Sequence, residues 1–363
     1  MQDKLINRWY GLPCWIFLLA SCSYAQENVV PSSIATDETV QFFRTVASFD
    51  ETTNKWRVPI HGWIYEPQQS RFRKALFSKT VQLKYGLKID AANSVFYDRR
   101  INLLIADNER GKNIVIHLAG QQFSLPSSAP NGHFIDEILL DDTFVEPNLH
   151  NKLLSYYCKS EDGREFHGQV QFLPPDGLSI ISDIDDTVKI SDVLDHRRLI
   201  DNTFLQAFAP VLGMNTRYQQ LSQQTNEPVS GFHFVSSSPW QLYAPLVEFL
   251  RDADFPWATL SLKAIRFRDM TLFDLFKPGT ATKPDQIRAI LDRFPRRQFV
   301  LIGDSGEQDP EVYAEIARAY PAQIRHIFIR NITGETLDNN RFKALQSGDT
   351  SWRLFTDPIQ IQL

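Results

Sequence analysis

From Val40 to about Leu173, apolar and polar residues alternate in short, aromatic-rich runs. Phe42–Ala47, Val58–Tyr65, Asn113–Leu118 and Phe166–Phe172 have strand length, and the last two alternate with period two. Val95-Phe96-Tyr97 and Ile101–Ile105 read as further strand-like runs, after a helix-compatible stretch over Arg73–Gly86. Asn108–Lys112 and Glu161–Arg164 sit between runs and predict hairpin turns. Short strands at this spacing predict a sandwich-like, mainly-β domain over residues 40–173.

Pro174-Pro175-Asp176-Gly177 ends this texture: two prolines and Asp-Gly stop a strand and turn the chain, which makes 174–177 the linker. After it, apolar strand-like runs at Leu178–Ile181, Gly231–Val235, Gln298–Ile302 and Gln323–Ile329 alternate with helical patterns at Tyr243–Arg251, Pro284–Phe294 and Pro310–Tyr320. Strands alternating with helices predict a parallel sheet with right-handed crossovers and helices on its faces. The expected architecture is therefore α/β over 178–363, a Rossmann-like parallel sheet preceded by the smaller β-domain. Residues 188–229 lie between the first two strands, are partly helical around Asn202–Gln223, and form a candidate cap.

Composition adds bounds. A chain of 363 residues with 43% hydrophobic content is long enough for two cores. The net charge of -5, with no basic run interleaved with aromatics, excludes nucleic acid as the expected partner. Arg293, Arg296 and Arg297 read as a solvated face. At the amino terminus, Lys4 and Arg8 precede the apolar stretch Gly11–Ala20, which predicts a signal segment over 1–25 rather than a membrane span. Cleavage after Ala25 and lipoprotein processing over 1–21, with Cys22 lipidated, are both open. Residues 26–39 read as a tether. The expected location is thus a bacterial envelope, periplasmic or anchored at a membrane surface. Cys158 has no evident partner and reads as a buried small hydrophobe.

The chemistry gathers where strands end. Ile180-Ile181-Ser182 stops in Asp183-Ile184-Asp185-Asp186-Thr187, and open α/β sheets take their ligands at strand carboxyl ends. Three acids in four residues repel one another unless a cation or shared proton relieves them. Alternate residues of an extended segment point the same way, so Asp183 and Asp185 can share one reacting centre. Asp186 reads as a helix start. The next strand ends in Ser236-Ser237-Ser238-Pro239-Trp240, whose hydroxyls and N–H groups suit an anion. A third ends in Gly303-Asp304-Ser305-Gly306-Glu307-Gln308-Asp309-Pro310. Lys283 precedes Pro284 at a helix start and either reaches a phosphate or caps the helix; Asp309 is either ligand or cap. Oxygen donors without a His or Cys set select a hard cation, Mg²⁺ first. His233 reads as core, and Trp240 as pocket wall or packing.

Asp183-x-Asp185-x-Thr187, Ser236, Lys283 and Asp304-x-x-x-x-Asp309 resemble, in order, the four motifs of haloacid dehalogenase-like phosphatases. The longer strings Ser182–Lys189, Phe234–Leu242 and Gly303–Glu311 are similar to the catalytic domain of the actin-patch-associated phosphatidate phosphatases, over about Leu178–Arg330. The resemblance implies an Mg²⁺-dependent phosphomonoesterase. Asp183 would attack phosphorus and Asp185 would shuttle the proton. Thr187, Ser236, Ser237 and Lys283 would hold the phosphoryl oxygens, with Ser236 favoured among the serines. Asp183, the backbone carbonyl of Asp185, Asp304 and Asp309 would hold Mg²⁺. The implied substrate is phosphatidate or a related lipid phosphate. Phe267, Met270, Leu272, Phe273, Leu275 and Phe276 offer either an apolar rim or a core face. A phosphatase of a soluble phosphomonoester and a non-catalytic scaffold are the alternatives.

Overall fold

The computed structural model describes residues 30–67, 86–264, 282–346 and 350–363, together with Ala75, Ser78, Lys79 and Gln82. The signal, Cys14 and Cys22, and the six apolar residues from Phe267 to Phe276, lie outside the described residues. So does most of the stretch Arg73–Gly86, although its four described residues from Ala75 to Gln82 are helical.

The first half is mainly β. Its strands are β1 (Thr39–Phe42), β2 (Thr45–Asp50), β3 (Lys55–Glu66), β4 (Asp107–Asn108), β5 (Ile114–Leu118), β6 (Gln121–Leu125), β7 (His133–Leu140), β8 (Leu153–Lys159) and β9 (Glu165–Phe172). They run in the order β1-β3-β2-β9-β8-β5-β6, with β4 and β7 also paired to β3. One parallel pair, β2 with β9, joins two antiparallel groups. Both groups turn their buried positions to one core: Val58, Ile60 and Ile64 from β3 meet Ile116, Tyr156 and Val170 from β5, β8 and β9. Phe42 contacts the Tyr156 ring edge-on at 4.9 Å and closes the sandwich. Cys158 is wholly buried in this core, which pushes its thiol up to about 12.

Two local readings change. Val95–Ile105 is not strand: Ser94–Leu104 is a helix, because Tyr97, Ile101 and Leu104 fall on one face, where all three are buried. The turn at Asn108–Lys112 does not close a hairpin, since β4 pairs with β3 and β5 with β6 and β8. Glu161–Arg164 does close one, between β8 and β9.

The second half is a six-stranded, all-parallel sheet: β10 (Leu178–Ser182), β11 (Val229–Pro239), β12 (Thr259–Lys263), β13 (Gln298–Asp304), β14 (Ile324–Arg330) and β15 (Ser351–Phe355). The order is β12-β11-β10-β13-β14-β15. Every residue of β10 is buried. Ile180 faces one helical layer, with helices Met214–Gln223 and Tyr243–Asp252, and Ile181 faces the other, with Lys283–Arg293 and Asp309–Ala319. From β10 the chain winds outward through β11 and β12, then returns past β10 to β13. The order therefore reverses between β10 and β13, and the crevice at their carboxyl ends is the expected ligand position.

The halves share a core. Phe43, in the turn between β1 and β2, is 1% exposed and sits 4.4 Å from the Trp240 ring and 4.7 Å from Tyr243. Tyr243 Oη accepts the Arg44 N–H at 2.6 Å. His61 and His133 sit beneath Trp240, ring nitrogens 3.0 Å apart. Burial first, and for His61 its neighbour His133, lowers their pKa values to about 3 and about 4, so the pair is neutral at ordinary pH.

Arg297 is not on a solvated face. It is fully buried and grips the linker, with Nη1 donating to the carbonyls of Pro174 (2.7 Å) and Asp176 (2.5 Å). Nη2 donates to Leu178 O (3.0 Å) and Ser230 Oγ (2.5 Å), and Nε to Ser179 Oγ (3.1 Å). Arg296, by contrast, is exposed and pairs with Glu51 and Asp176. Replacing Arg297 with Met would leave these buried acceptors unpaired, and each bond to a charged donor is worth about 1.5–3 kcal/mol. The Arg297→Met variant is expected to lose at least about 3 kcal/mol of stability in urea titration, with Arg296→Met within about 1 kcal/mol of the parent.

Candidate active site

Asp183 follows the last residue of β10, and its N–H donates to Ile302 O at 2.8 Å, so the parallel ladder carries it to the crevice. Asp304 ends β13, and Asp309 opens the helix Asp309–Ala319. All three are buried, and their carboxylate oxygens lie within 4.8 Å of one another. Lys283 opens the helix Lys283–Arg293, yet its side chain turns inward. Its Nζ is 2.8 Å from Asp183 Oδ1 and also bonds Asp309 Oδ1. Asp309 is no cap either: Gln308 occupies that position, and Asp309 Oδ2 accepts the Asp304 N–H at 3.3 Å.

One ammonium faces too many acids. Burial, reinforced by Asp309, Glu307 and Asp304, pushes Asp183 well above the usual carboxylate range despite Lys283. Burial and the neighbouring acids do the same to Asp304, and Glu307 is pushed up to about 7, first by burial. Burial opposes the charge on Lys283, but Asp183 and Asp309 more than reverse this and hold its pKa well above its ordinary value. Asp183 Oδ2 and Asp304 Oδ2 are buried without any hydrogen-bond partner. Orphaned carboxylate oxygens in an all-oxygen cluster fit a hard divalent cation, and such a charge would relieve the excess that Lys283 leaves.

Asp185 is held apart from this cluster. Lys189 Nζ lies 2.7 Å from its Oδ1, which also accepts from Ser191 Oγ at 2.7 Å. Ser236 Oγ (3.1 Å) and Ser238 Oγ (3.4 Å) donate to Oδ2. Burial alone would raise the Asp185 pKa; Lys189 and the hydroxyls outweigh it and bring it below the ordinary value. Asp186 does not start a helix. It sits at φ 52° in a turn, and its carboxylate accepts the N–H groups of Ser191, Asp192 and Val193 at 2.6–3.0 Å, folding the following loop back over the site.

The remaining expected residues divide. Thr187 Oγ1 and Ser237 Oγ are buried and unpartnered. Ser236, favoured from sequence, has its hydroxyl engaged with Asp185 and the Ser238 N–H. Trp240 packs against Phe43 and His61 in the inter-half core. His233 is buried, bonded to Thr259, with its pKa lowered to about 3 by burial and then by Arg297. Lys189, Ser191 and Glu307 were not singled out from sequence. The only signal for Lys189 and Glu307 was their place inside the longer motif strings.

The site is thus a set of buried carboxylates and one lysine gathered at the switch point of a parallel α/β sheet. Residues 178–331 match the family model of phosphatidate phosphatase APP1, catalytic domain. An uncharacterized protein of Schizosaccharomyces pombe is 31% identical over 227 residues, 59% of this chain and 35% of that protein. Phosphatidate phosphatase APP1 of Saccharomyces cerevisiae is 34% identical over 163 residues, 44% of this chain and 27% of that protein. The chain thus spans about a third or less of the length of these curated relatives. A ferredoxin-NADP+ reductase from Plasmodium falciparum aligns over 90% of this chain and all of its own at 8% identity with a TM-score of 0.18, too slight to bear on the fold. These curated relatives are fungal, so the expected bacterial envelope location does not stand. Among the described residues no helix is long and apolar enough to cross a membrane.

Gly303 is where the cluster is tightest. A Cβ there would lie 2.3 Å from Asp309 Oδ2 and 2.8 Å from its Cγ. Gly303→Ala is expected to push Asp309 off Lys283 and cost about 2 kcal/mol or more, read by chemical denaturation.

Proposed function

We propose that this chain is an Mg²⁺-dependent phosphomonoesterase acting through an aspartyl-phosphate, with phosphatidate as its preferred substrate. One observation carries the reading: buried, unpartnered oxygens of Asp183 and Asp304 converge beside Lys283 at the switch point of a segment that matches a phosphatidate phosphatase catalytic domain.

Asp183 attacks phosphorus, the phosphorus–oxygen ester bond breaks, and the Asp185 carboxyl gives its proton to the leaving alkoxide. Asp185 then takes a proton from water, whose oxygen attacks phosphorus and releases inorganic phosphate and the Asp183 carboxylate. The environment of Asp185 favours its ionised form at rest, suited to the second step; an approaching phosphoryl dianion raises its proton affinity and suits it to the first. Thr187 and Ser237, whose hydroxyls are buried without partners, are the better supported phosphoryl-binding pair, and Ser236 orients Asp185. Asp183, Asp304 and the Asp185 carbonyl, with Asp309 beside them, would hold Mg²⁺, which when bound would supply the charge that lets a carboxylate meet a phosphoryl group.

Purified protein is expected to release phosphate from phosphatidate in mixed micelles with Mg²⁺, and to stop in chelator. Asp183→Asn should lower turnover about 10³-fold or more. Release from small esters alone would overturn the lipid reading, and release from neither would overturn the enzyme. Mg²⁺ at about 100 times its Kd should stabilise the parent by about 2.7 kcal/mol. Thermal unfolding should show most of that gain lost in Asp304→Asn.

A further inference from the structure

Arg100 lies on the helix Ser94–Leu104 of the first half, outside the matched segment 178–331, and is buried. Its Nη1 donates to Thr203 O (2.9 Å) and Gln206 O (2.7 Å) at the carboxyl end of the helix His196–Phe204, where a cation also meets the negative end of the helix dipole. Its guanidinium carbon lies 3.8 Å from the centre of the Phe208 ring, and the Lys189 ammonium lies 5.0 Å from the same ring centre. Both are cation–π distances. Lys189 in turn is 2.7 Å from Asp185 Oδ1. The backbone on either side of it pairs with the Phe208 segment, Ile190 N–H to Ala209 O (2.8 Å) and Val211 N–H to Val188 O (2.9 Å). A second line runs from the same helix. Asn202 Nδ2 donates to Ser191 O (3.2 Å) and to Asp192 Oδ2 (3.0 Å), and Ser191 Oγ donates to Asp185.

We propose that Arg100 is a positioning residue for the reaction: by holding the helix end and the Phe208 ring, it fixes Lys189 and Ser191, and through them the aim of the Asp185 carboxyl at the departing alcohol oxygen. This rests on the phosphatase reading. Lys189 bears on Asp185 as a point charge on a flexible four-carbon stem, and a stem of that kind needs a wall to keep one rotamer. Phe208 supplies the wall. That ring is itself only half-buried, so its place depends on the guanidinium lying against it. Proton delivery tolerates little drift, since a misplacement of about 1 Å can cost about 100-fold in rate. The first half thereby takes part in the acid step from a distance, through a cation that the catalytic segment does not contain.

The leaving group tests this in the full chain. An alkoxide must be protonated as it departs, a nitrophenolate need not be, and kcat/KM reports only the steps up to that departure. Arg100→Met should lower kcat/KM for phosphatidate at least about tenfold more than for 4-nitrophenyl phosphate. The inhibition constant of inorganic phosphate should stay within about twofold of the parent, because the phosphoryl-binding hydroxyls and Lys283 are untouched. Arg100→Lys keeps a cation at the carbonyls and the ring, and should recover most of the difference. Phe208→Leu should move the same ratio in the same direction, and it carries the test should Arg100→Met fail to fold. Arg99→Met, whose exposed guanidinium pairs with Glu248, should leave the ratio unchanged. Equal losses on the two esters in folded variants, no loss on either, or weakened phosphate inhibition that tracks the loss would overturn the inference and leave the phosphatase reading standing. If the parent turns over phosphatidate alone, turnover lost without weaker phosphate inhibition supports the inference and any other pattern overturns it. A parent that hydrolyses neither ester overturns both readings.

Discussion

A single buried ammonium holds this molecule's chemistry together. Lys283 lies among Asp183, Asp309 and Asp304, where ionised carboxylates out of contact with water would repel one another. It settles part of that repulsion and leaves a remainder. The remainder appears as acids displaced toward their protonated forms and as two carboxylate oxygens without partners. A site arranged this way has a standing demand for more positive charge. The second ammonium, on Lys189, answers a different demand. By pairing with Asp185 it keeps that carboxylate out of the cluster, so that two acids two residues apart acquire opposite protonation tendencies.

The β-rich half is part of how the site is held. Phe43, His61 and His133 pack under Trp240, two residues beyond Ser238, which with Ser236 bonds Asp185. Arg100 ties the helix Ser94–Leu104 to the end of the helix His196–Phe204 through the Thr203 and Gln206 carbonyls, and Arg297 locks the linker. The Ser236–Ser238 strand end is thus anchored on both sides, by the parallel ladder before it and by an aromatic cluster after it.

The change from period two to apolar runs flanking helices was legible, and so were the strand-end acids, because both are local patterns. Lys283 was readable as a candidate, but its choice between cap and site was not, since that depends on which way a side chain turns at a helix start. Arg297 reads from sequence as a surface cation and Lys189 as one more residue of a motif string; only the tertiary fold brings a carboxylate to Lys189 and five carbonyl or hydroxyl partners to Arg297. The helix Ser94–Leu104 was misread because Val95, Phe96 and Tyr97 are β-prone, while the spacing of its buried residues is helical. Ser236 drew the stronger expectation as the first residue after its apolar run, yet its hydroxyl is spent on Asp185.

The position of β10 has a consequence for how the chain is made. It is the most uniformly buried strand of its sheet, and its ladder partners β11 and β13 come later in the chain, the latter more than a hundred residues on. During synthesis, an apolar strand with both edges open must wait for its neighbours while the first half is already able to fold. The finished β-sandwich is then the natural surface against which the nascent segment can rest. The linker is gripped only when Arg297 emerges, immediately before β13 closes the second edge.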